Sequence, residues 1–268
     1  MNLLELCQSV IAITKKTGTF IRTEGQSFDA SKIEHKGLND LVSYVDKTAE
    51  EQLVASLKEI LPEAGFITEE GTAQEKHEVY NWIIDPLDGT TNFIHGLPVF
   101  CISIALLEHN EPILGVVYEI NQDECFYATK GGGTFLNGNS LQVSKIENLQ
   151  DSLICTGYPY TDFGLLQDYL QLLGAFMSKS HGVRRLGSAA ADLAYVAAGR
   201  FEGFFEYNLK PWDVAAGVLL VQEAGGRVSL FNGTADNPVF GKETLATNNL
   251  VHDEVCHLIS IYWGATDK

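Results

Sequence analysis

The sequence predicts an α+β protein in two stretches. Helices followed by an antiparallel meander fill about residues 1–148, and strands alternating with helices fill about 149–268. Three observations carry this. Apolar residues recur at helical spacing up to Pro62. Between Val99 and Ala128, short apolar runs are separated by turn signals. Beyond Asp151, strand-length runs alternate with longer helical ones. No repeat recurs at a fixed period and no flexible linker interrupts the chain, so the boundary reads as a change of pattern within one compact unit.

The elements follow in order. Leu3 to Ile21 places Leu3, Leu6, Cys7, Val10, Ile13 and Thr17 on one face and is an amphipathic helix. Ser27 to Asn39 is polar, a loop or a short extended piece. Asp40 to Asp46 leads into a second helix, with Ala49, Leu53, Leu57 and Ile60 at helical spacing and Pro62 as its stop. Phe66-Ile67-Thr68 is a short strand that delivers Glu69 and Glu70 into Gly71. An acidic loop runs to Glu78, and Val79 to Ile84 is a buried strand that ends at Asp85-Pro86.

Strands Val99 to Leu107, Ile113 to Tyr118 and Cys125 to Ala128 form the meander, turned by His109 to Pro112 and by Asn121 to Asp123. Gly131-Gly132-Gly133 lacks the Lys-Ser or Lys-Thr ending of a phosphate-binding P-loop and reads as a turn or bulge. In the second stretch the strands are Ser152 to Thr156, Gly182 to Leu186, Phe201 to Tyr207 and Leu245 to Thr247. The helices are Leu165 to Met177, Ser188 to Ala198, Asp213 to Ala224 and Leu250 to Tyr262, the third stopped by Gly225-Gly226.

Composition sets limits. With 268 residues, 45% hydrophobic and 20% charged, the chain is globular. A net charge of −17 argues against nucleic acid and anionic membrane as partners, since both need a basic footprint. No apolar run approaches membrane-spanning length. Cys7, Cys101, Cys125, Cys155 and Cys256 are scattered and odd in number, which argues against disulfides and zinc and fits a reducing cytoplasm.

Chemistry concentrates at three acidic loci: Glu69, the pair Asp85/Asp88, and Asp213. Two carboxylates delivered into a turn shaped by Pro86 and Gly89 suit a divalent cation, because Mg²⁺ takes hard oxygen ligands. Thr90 and Thr91 add hydroxyls for a water or a phosphate. Each locus also has a plainer reading. Asp-Pro and Asp-Gly pairs serve ordinary turns, and Asp213 stands where a helix N-cap belongs. A phosphate substrate conflicts with so acidic a chain unless bound cations reverse the local field.

The run Asp85-Pro86-Leu87-Asp88-Gly89-Thr90-Thr91-Asn92-Phe93 resembles the metal-binding signature of the inositol monophosphatase family of Mg²⁺-dependent, lithium-sensitive phosphatases. Further matches are Phe66-Ile67-Thr68-Glu69-Glu70, Asp40-Leu41-Val42-Ser43-Tyr44-Val45-Asp46, Leu186-Gly187-Ser188-Ala189-Ala190, Pro211-Trp212-Asp213-Val214-Ala215-Ala216-Gly217 and Glu223-Ala224-Gly225-Gly226. Thr68 departs from the family, which has glycine there. The matches run from roughly Asp40 to Asn248.

The resemblance implies a layered αβαβα sandwich and a cytoplasmic, homodimeric phosphoric monoester hydrolase with two or three Mg²⁺ per site. By it, Glu69, Asp85 and the Leu87 carbonyl hold a first Mg²⁺. Asp85, Asp88 and Asp213 hold a second, and a third lies near Glu69 through waters. Thr90, backed by Asp46, orients the attacking water, and Glu69 belongs to the same catalytic group. The backbone of Gly89 and Thr90 binds phosphate oxygens. Asp88, Gly187, Ser188, Ala189, Glu206 and Asp213 contact the substrate, a small phosphate monoester such as myo-inositol 1-phosphate. Fructose 1,6-bisphosphate, 3′-phosphoadenosine phosphates and histidinol phosphate are the substrates of relatives, and the Thr-Thr-Asn-Phe ending favours the inositol branch over the nucleotide branch. A non-catalytic binding protein is the alternative of another class. Cys155 and Ser188 have no evident base partner as nucleophiles, and His95 reads as a rim or structural residue. Lys36 remains open, as do Arg184 and Arg185 between salt bridge, subunit contact and phosphate partner.

Overall fold

The computed structural model describes residues 1–28, 33–37, 40–159 and 162–264, with 33–42 described by backbone alone. The first helix, α1 (Leu3–Gly25), begins at Asn2, whose side chain accepts from the Leu4 and Glu5 amides. It runs a turn beyond the predicted end. The polar stretch after it contains β1 (Ile33–Gly37), antiparallel to β2 (Asp40–Ser43). The run Asp40 to Asp46 therefore divides: strand to Ser43, then α2 (Tyr44–Ile60). Ser43 caps α2, and Asp46 returns the favour by accepting from the Ser43 amide at 2.9 Å, a capping box.

A seven-stranded sheet follows, with β3 (Gly65–Thr68), β4 (Tyr80–Asp88), β5 (Cys101–Glu108), β6 (Glu111–Glu119), β7 (Glu124–Thr129), β8 (Gly133–Leu136) and β9 (Asn139–Leu141) side by side in that order. The short helix α3 (Thr90–Ile94) lies between β4 and β5. All pairings are antiparallel except β3 with β4, which are parallel. The sequence reading ended β4 at Asp85, but the strand continues to Asp88. Its register with β5 shifts between Asp85 and Asp88, and this irregularity is where a strand tolerates Pro86, which has no amide to donate.

The second stretch holds β10 (Leu153–Thr156), α4 (Leu166–Lys179), β11 (Gly182–Arg184), α5 (Ala189–Ala197), β12 (Gly203–Tyr207), α6 (Pro211–Glu223), β13 (Arg227–Ser229), β14 (Glu243–Thr247) and α7 (His252–Tyr262). Its sheet has the order β11-β10-β12-β14-β13. The three-residue β13 is absent from the sequence reading.

Packing turns these elements into five layers. Helices α1 and α2 cover one face of the larger sheet, while α5 and α6 cover its other face and also meet the smaller sheet. Helices α4 and α7 pack together and enclose the outer core of the smaller sheet. One apolar cluster fills each interlayer space, anchored by Trp82 and Leu53, by Phe126 and Phe204, and by Phe176 and Phe205. Burying a side chain of this kind contributes about 1.5–3 kcal/mol. The middle cluster is rich in alanine because α5 and α6 are buried nearly all round, and small residues let helix and sheets approach closely. This is the αβαβα sandwich. Among the described residues, no helix is long and apolar enough to cross a membrane.

Candidate active site

Parallel pairing of β3 and β4 sets Thr68 opposite Ile84. The next residue along each is a carboxylate, so Glu69, just past the end of β3, stands beside Asp85, still paired within β4. The Glu69 amide donates to the Ile84 carbonyl at 3.2 Å and extends that pairing. Around this edge opens a cleft of about 550 Å³. Glu69, Asp85, Leu87, Asp88, Gly89, Thr90, Gly187, Ser188, Ala189, Glu206 and Asp213 all line it. Of the residues to which the resemblance gives a catalytic, substrate or metal role, Asp46 is set back from the cleft wall, buried behind Thr90.

The four carboxylates are held in different ways. Asp85 is buried, and one of its oxygens accepts from the Leu87 amide at 2.9 Å. Burial, then the charges of Glu69, Asp88 and Asp213, push its pKa well above the usual range, and its carboxyl group also meets that of Glu69 in a hydrogen bond. Asp88 is pushed up to about 6 by burial, against hydrogen bonds that pull it down. Asp213 is not the N-cap of α6. It is the third helical residue, and Oδ2 accepts from the Lys210 amide at 2.6 Å. Burial and the charge of Asp88 raise its pKa strongly. The capping and site-facing roles that compete in the sequence are both present, since a carboxylate has two oxygens.

Thr90 opens α3, just after Gly89, whose φ of 95° is left-handed. A Cβ at Gly89 would also stand 2.9 Å from the Val99 carbonyl, so glycine is required there. The Thr90 hydroxyl lies 3.0 Å from Asp46 Oδ1 and 2.9 Å from the Leu87 carbonyl. Its single proton cannot serve both acceptors fully. Asp46 also accepts from the Ser43 hydroxyl at 2.7 Å, and burial nevertheless raises its pKa.

The far side of the cleft comes from the smaller sheet and α5. Ser188 caps α5 by accepting from the Ala191 amide, and its hydroxyl donates to Asp88 Oδ2 at 2.7 Å. Ser188 thus has a carboxylate partner after all, in a cap and not a nucleophile's setting. Glu206 is buried at the end of β12, and burial pushes it up to about 8, opposed by the Arg185 charge. Gly157 faces it at a distance that leaves no room for a Cβ.

Three lining residues extend the sequence reading. Arg185 lines the cleft and stacks on Tyr158, 4.3 Å from the ring centre. Arg184 is exposed and donates to the adjacent Val183 carbonyl. Asp192 was missed. It is 1% exposed, and Oδ1 lacks a hydrogen-bond partner among the described residues. Its signal in the sequence is a lone charge inside an Ala- and Leu-rich helix. His95 is exposed and off the cleft, Cys155 is wholly buried with its thiol pushed well up by burial, and the Lys36 side chain lies outside the described residues.

A cation fits this donor set. Every candidate ligand is oxygen, as Mg²⁺ prefers. The buried Asp85 and the half-buried Glu69 meet in a hydrogen bond, which requires a proton between them where a cation would satisfy both. Among the described residues, no three His, Cys, Asp or Glu side chains are already closed around one point, so the carboxylates face a common cleft without that closure.

Comparison with known proteins agrees with the fold. The sequence profile described as the inositol monophosphatase family matches residues 3–263. An inositol-1-monophosphatase of Mesorhizobium japonicum is 41% identical over 232 residues, 86% of this chain and 87% of the relative. Nus factor SuhB of Escherichia coli K12 is 41% identical over 242 residues, 90% and 88% of the two chains. The crystal structure of the extragenic suppressor protein suhB from Bartonella henselae superposes with a TM-score of 0.90 at 37% identity, covering 95% of this chain and 98% of that one. With a profile match that begins at residue 3 and ends at residue 263, and with relatives this similar across most of their length, the chain belongs to the inositol monophosphatase family.

Proposed function

We propose that this protein is a Mg²⁺-dependent phosphomonoesterase whose substrate is myo-inositol 1-phosphate or a closely similar polyol phosphate. The observation that carries the reading is the convergence of Glu69, Asp85, Asp88 and Asp213 on one cleft, with all three aspartates raised in pKa by burial, and Asp85 and Asp213 also by the carboxylate charges beside them. Carboxylates so placed bind protons or cations. Glu69, Asp85, the Leu87 carbonyl, Asp88 and Asp213 would hold two Mg²⁺ ions, with a third near Glu69, and when bound the ions neutralise the phosphate's charge and acidify water.

The chain's own residues do the rest. The Thr90 hydroxyl donates its hydrogen bond to Asp46 behind it, which leaves the hydroxyl oxygen free to accept from a water in the cleft and aim it at phosphorus. Asp46 is held by Ser43 and cannot swing forward, so it sets the direction of the Thr90 O–H. The backbone of Gly89 and Thr90 meets the phosphate oxygens. Across the cleft, Asp88, Glu206 and the Gly187-Ser188-Ala189 corner accept from and donate to the hydroxyls of the leaving alcohol. Glu206 takes its proton state from burial and from Arg185. No covalent phosphoenzyme is required.

A binding role is the second reading, favoured by relatives named Nus factor SuhB. It concerns this chain alongside catalysis or in place of it. The test that separates the two is phosphate release from inositol 1-phosphate, fructose 1,6-bisphosphate, 3′-phosphoadenosine phosphate and histidinol phosphate, with Mg²⁺ and with chelator. Mg²⁺-dependent release, fastest from inositol 1-phosphate, supports the phosphatase. No release from any of the four leaves the binding role.

A further inference from the structure

Helix α2 sends two buried carboxylates to the site, four residues apart and hence on one face. Asp46 reaches Thr90. Glu50, wholly buried, reaches the loop that carries Glu69. One Glu50 oxygen accepts from the Glu70 amide at 2.7 Å, and the other accepts from the Thr72 amide at 2.8 Å and the Thr72 hydroxyl at 2.7 Å. All three donors belong to the turn just past Glu69. On its other side this turn is tied to β4 through the Glu69 amide and the Ile84 carbonyl.

We propose that Glu50 is a positioning residue for the cation site: its carboxylate fixes the turn beyond Glu69 and so holds the Glu69 side chain beside Asp85. This rests on the reading of Glu69 as a cation ligand. The argument is one of cost and geometry. A carboxylate is expensive to bury unless its oxygens are satisfied, and bonds from amides to a charged acceptor are short and about twice as strong as neutral ones. Among the described residues, Glu50 meets that condition with donors from this one turn. Gly71, in the middle of this turn, has a φ of 72°, so the backbone there follows a path that few residues adopt unaided. The clamp therefore defines where Glu69 points, in the way that groups behind metal ligands orient them. Because Asp46 and Glu50 share α2, the same helix also fixes the spacing between Glu69 and Thr90.

The test is titration calorimetry of Mg²⁺ into substrate-free protein, for the wild type, Glu50→Gln and Thr72→Val, with steady-state kinetics on each. A glutamine at 50 sets an NH₂ group against one of the backbone donors and loosens the turn. The expected result is a loss of Mg²⁺ affinity of about 10–100-fold in Glu50→Gln, a smaller loss in Thr72→Val, and turnover that recovers with excess Mg²⁺ while the KM for inositol 1-phosphate is unchanged. A clamp that served stability alone would lower the melting temperature and leave the Mg²⁺ affinity of the folded protein as it was. Wild-type affinity in Glu50→Gln, or in Thr72→Val where the first variant does not fold, overturns the proposal. Absence of Mg²⁺ binding by the wild type overturns the cation reading itself and the proposal with it.

Discussion

The Ser188 hydroxyl donates to Asp88 Oδ2 at 2.7 Å, joining the end of β4 to the N-cap of α5. The Ala190 amide donates to the same oxygen, also at 2.7 Å. Asp88 is therefore oriented through Oδ2 by the substrate side of the cleft. Asp88→Asn keeps an oxygen for both donors and removes the charge. Turnover is expected to fall by at least ~100-fold, the scale of losing a group that stabilises charge in the transition state, with little change in melting temperature. Near-normal turnover at saturating Mg²⁺ counts against the role.

Thr90→Val keeps the shape of the side chain and loses the hydroxyl that faces Asp46. We expect turnover to drop about 100-fold, as for the loss of a proton-handling group, with Mg²⁺ binding by calorimetry intact. If Mg²⁺ binding vanishes instead, the water-orienting role of Thr90 is wrong.

Stability in the metal-free protein should fall on both sides of a maximum near mildly acidic pH. Glu206 is raised to about 8 by burial, so the stability it contributes is full below the ordinary glutamate pKa and is lost as pH rises through about 8. Glu206→Gln should then melt higher than the wild type at alkaline pH and equal to it at the acid end, by roughly 5 °C for a few kcal/mol in a chain of this size. His252 works in the opposite sense. It is buried between the hydroxyls of Ser229 and Thr247, and burial lowers its pKa to about 4. Its contribution is present above the ordinary histidine pKa and is lost as pH falls towards about 4. A melting temperature flat across this range, or a Glu206→Gln variant that shows the wild-type slope, would contradict these assignments.

Lithium should inhibit, and Mg²⁺ should act with an optimum. Asp85, Asp88 and Asp213 come from two separate points of the chain, and a small monovalent cation at those oxygens supplies less charge than Mg²⁺ does. Excess Mg²⁺ exchanges its ligands reluctantly and slows release of product. The expected pattern is uncompetitive or mixed inhibition by Li⁺, with Na⁺ at equal ionic strength as the control for screening. Equal effects of the two ions with activity rising steadily in Mg²⁺ would remove this account of the second ion.

Much of this was legible before the fold was known. The carboxylate loci announced themselves because strand ends and turn residues flank them, and helical periodicity located α1, α2 and α6 to within a turn. What failed did so for local reasons. Pro86 read as a stop because the sequence cannot show a strand irregularity that accommodates proline. The strand β13 has three residues after a glycine pair, too few to show a period. Glu50 and Asp192 were invisible because their meaning lies in partners distant in sequence or in burial on every side. On a helix, a glutamate in sequence looks like a solvated charge, and only the tertiary structure brings Glu70 and Thr72 to it.

The central claim is that a water positioned by Thr90 attacks phosphorus in the carboxylate cleft. Hydrolysis of myo-inositol 1-phosphate in water enriched in the heavy oxygen isotope, with Mg²⁺ and with chelator, tests it most directly. The account predicts label in the released phosphate and none in inositol, only when Mg²⁺ is present, and almost none of this turnover in Thr90→Val. Label in inositol, or labelled phosphate formed equally in chelator, would contradict it.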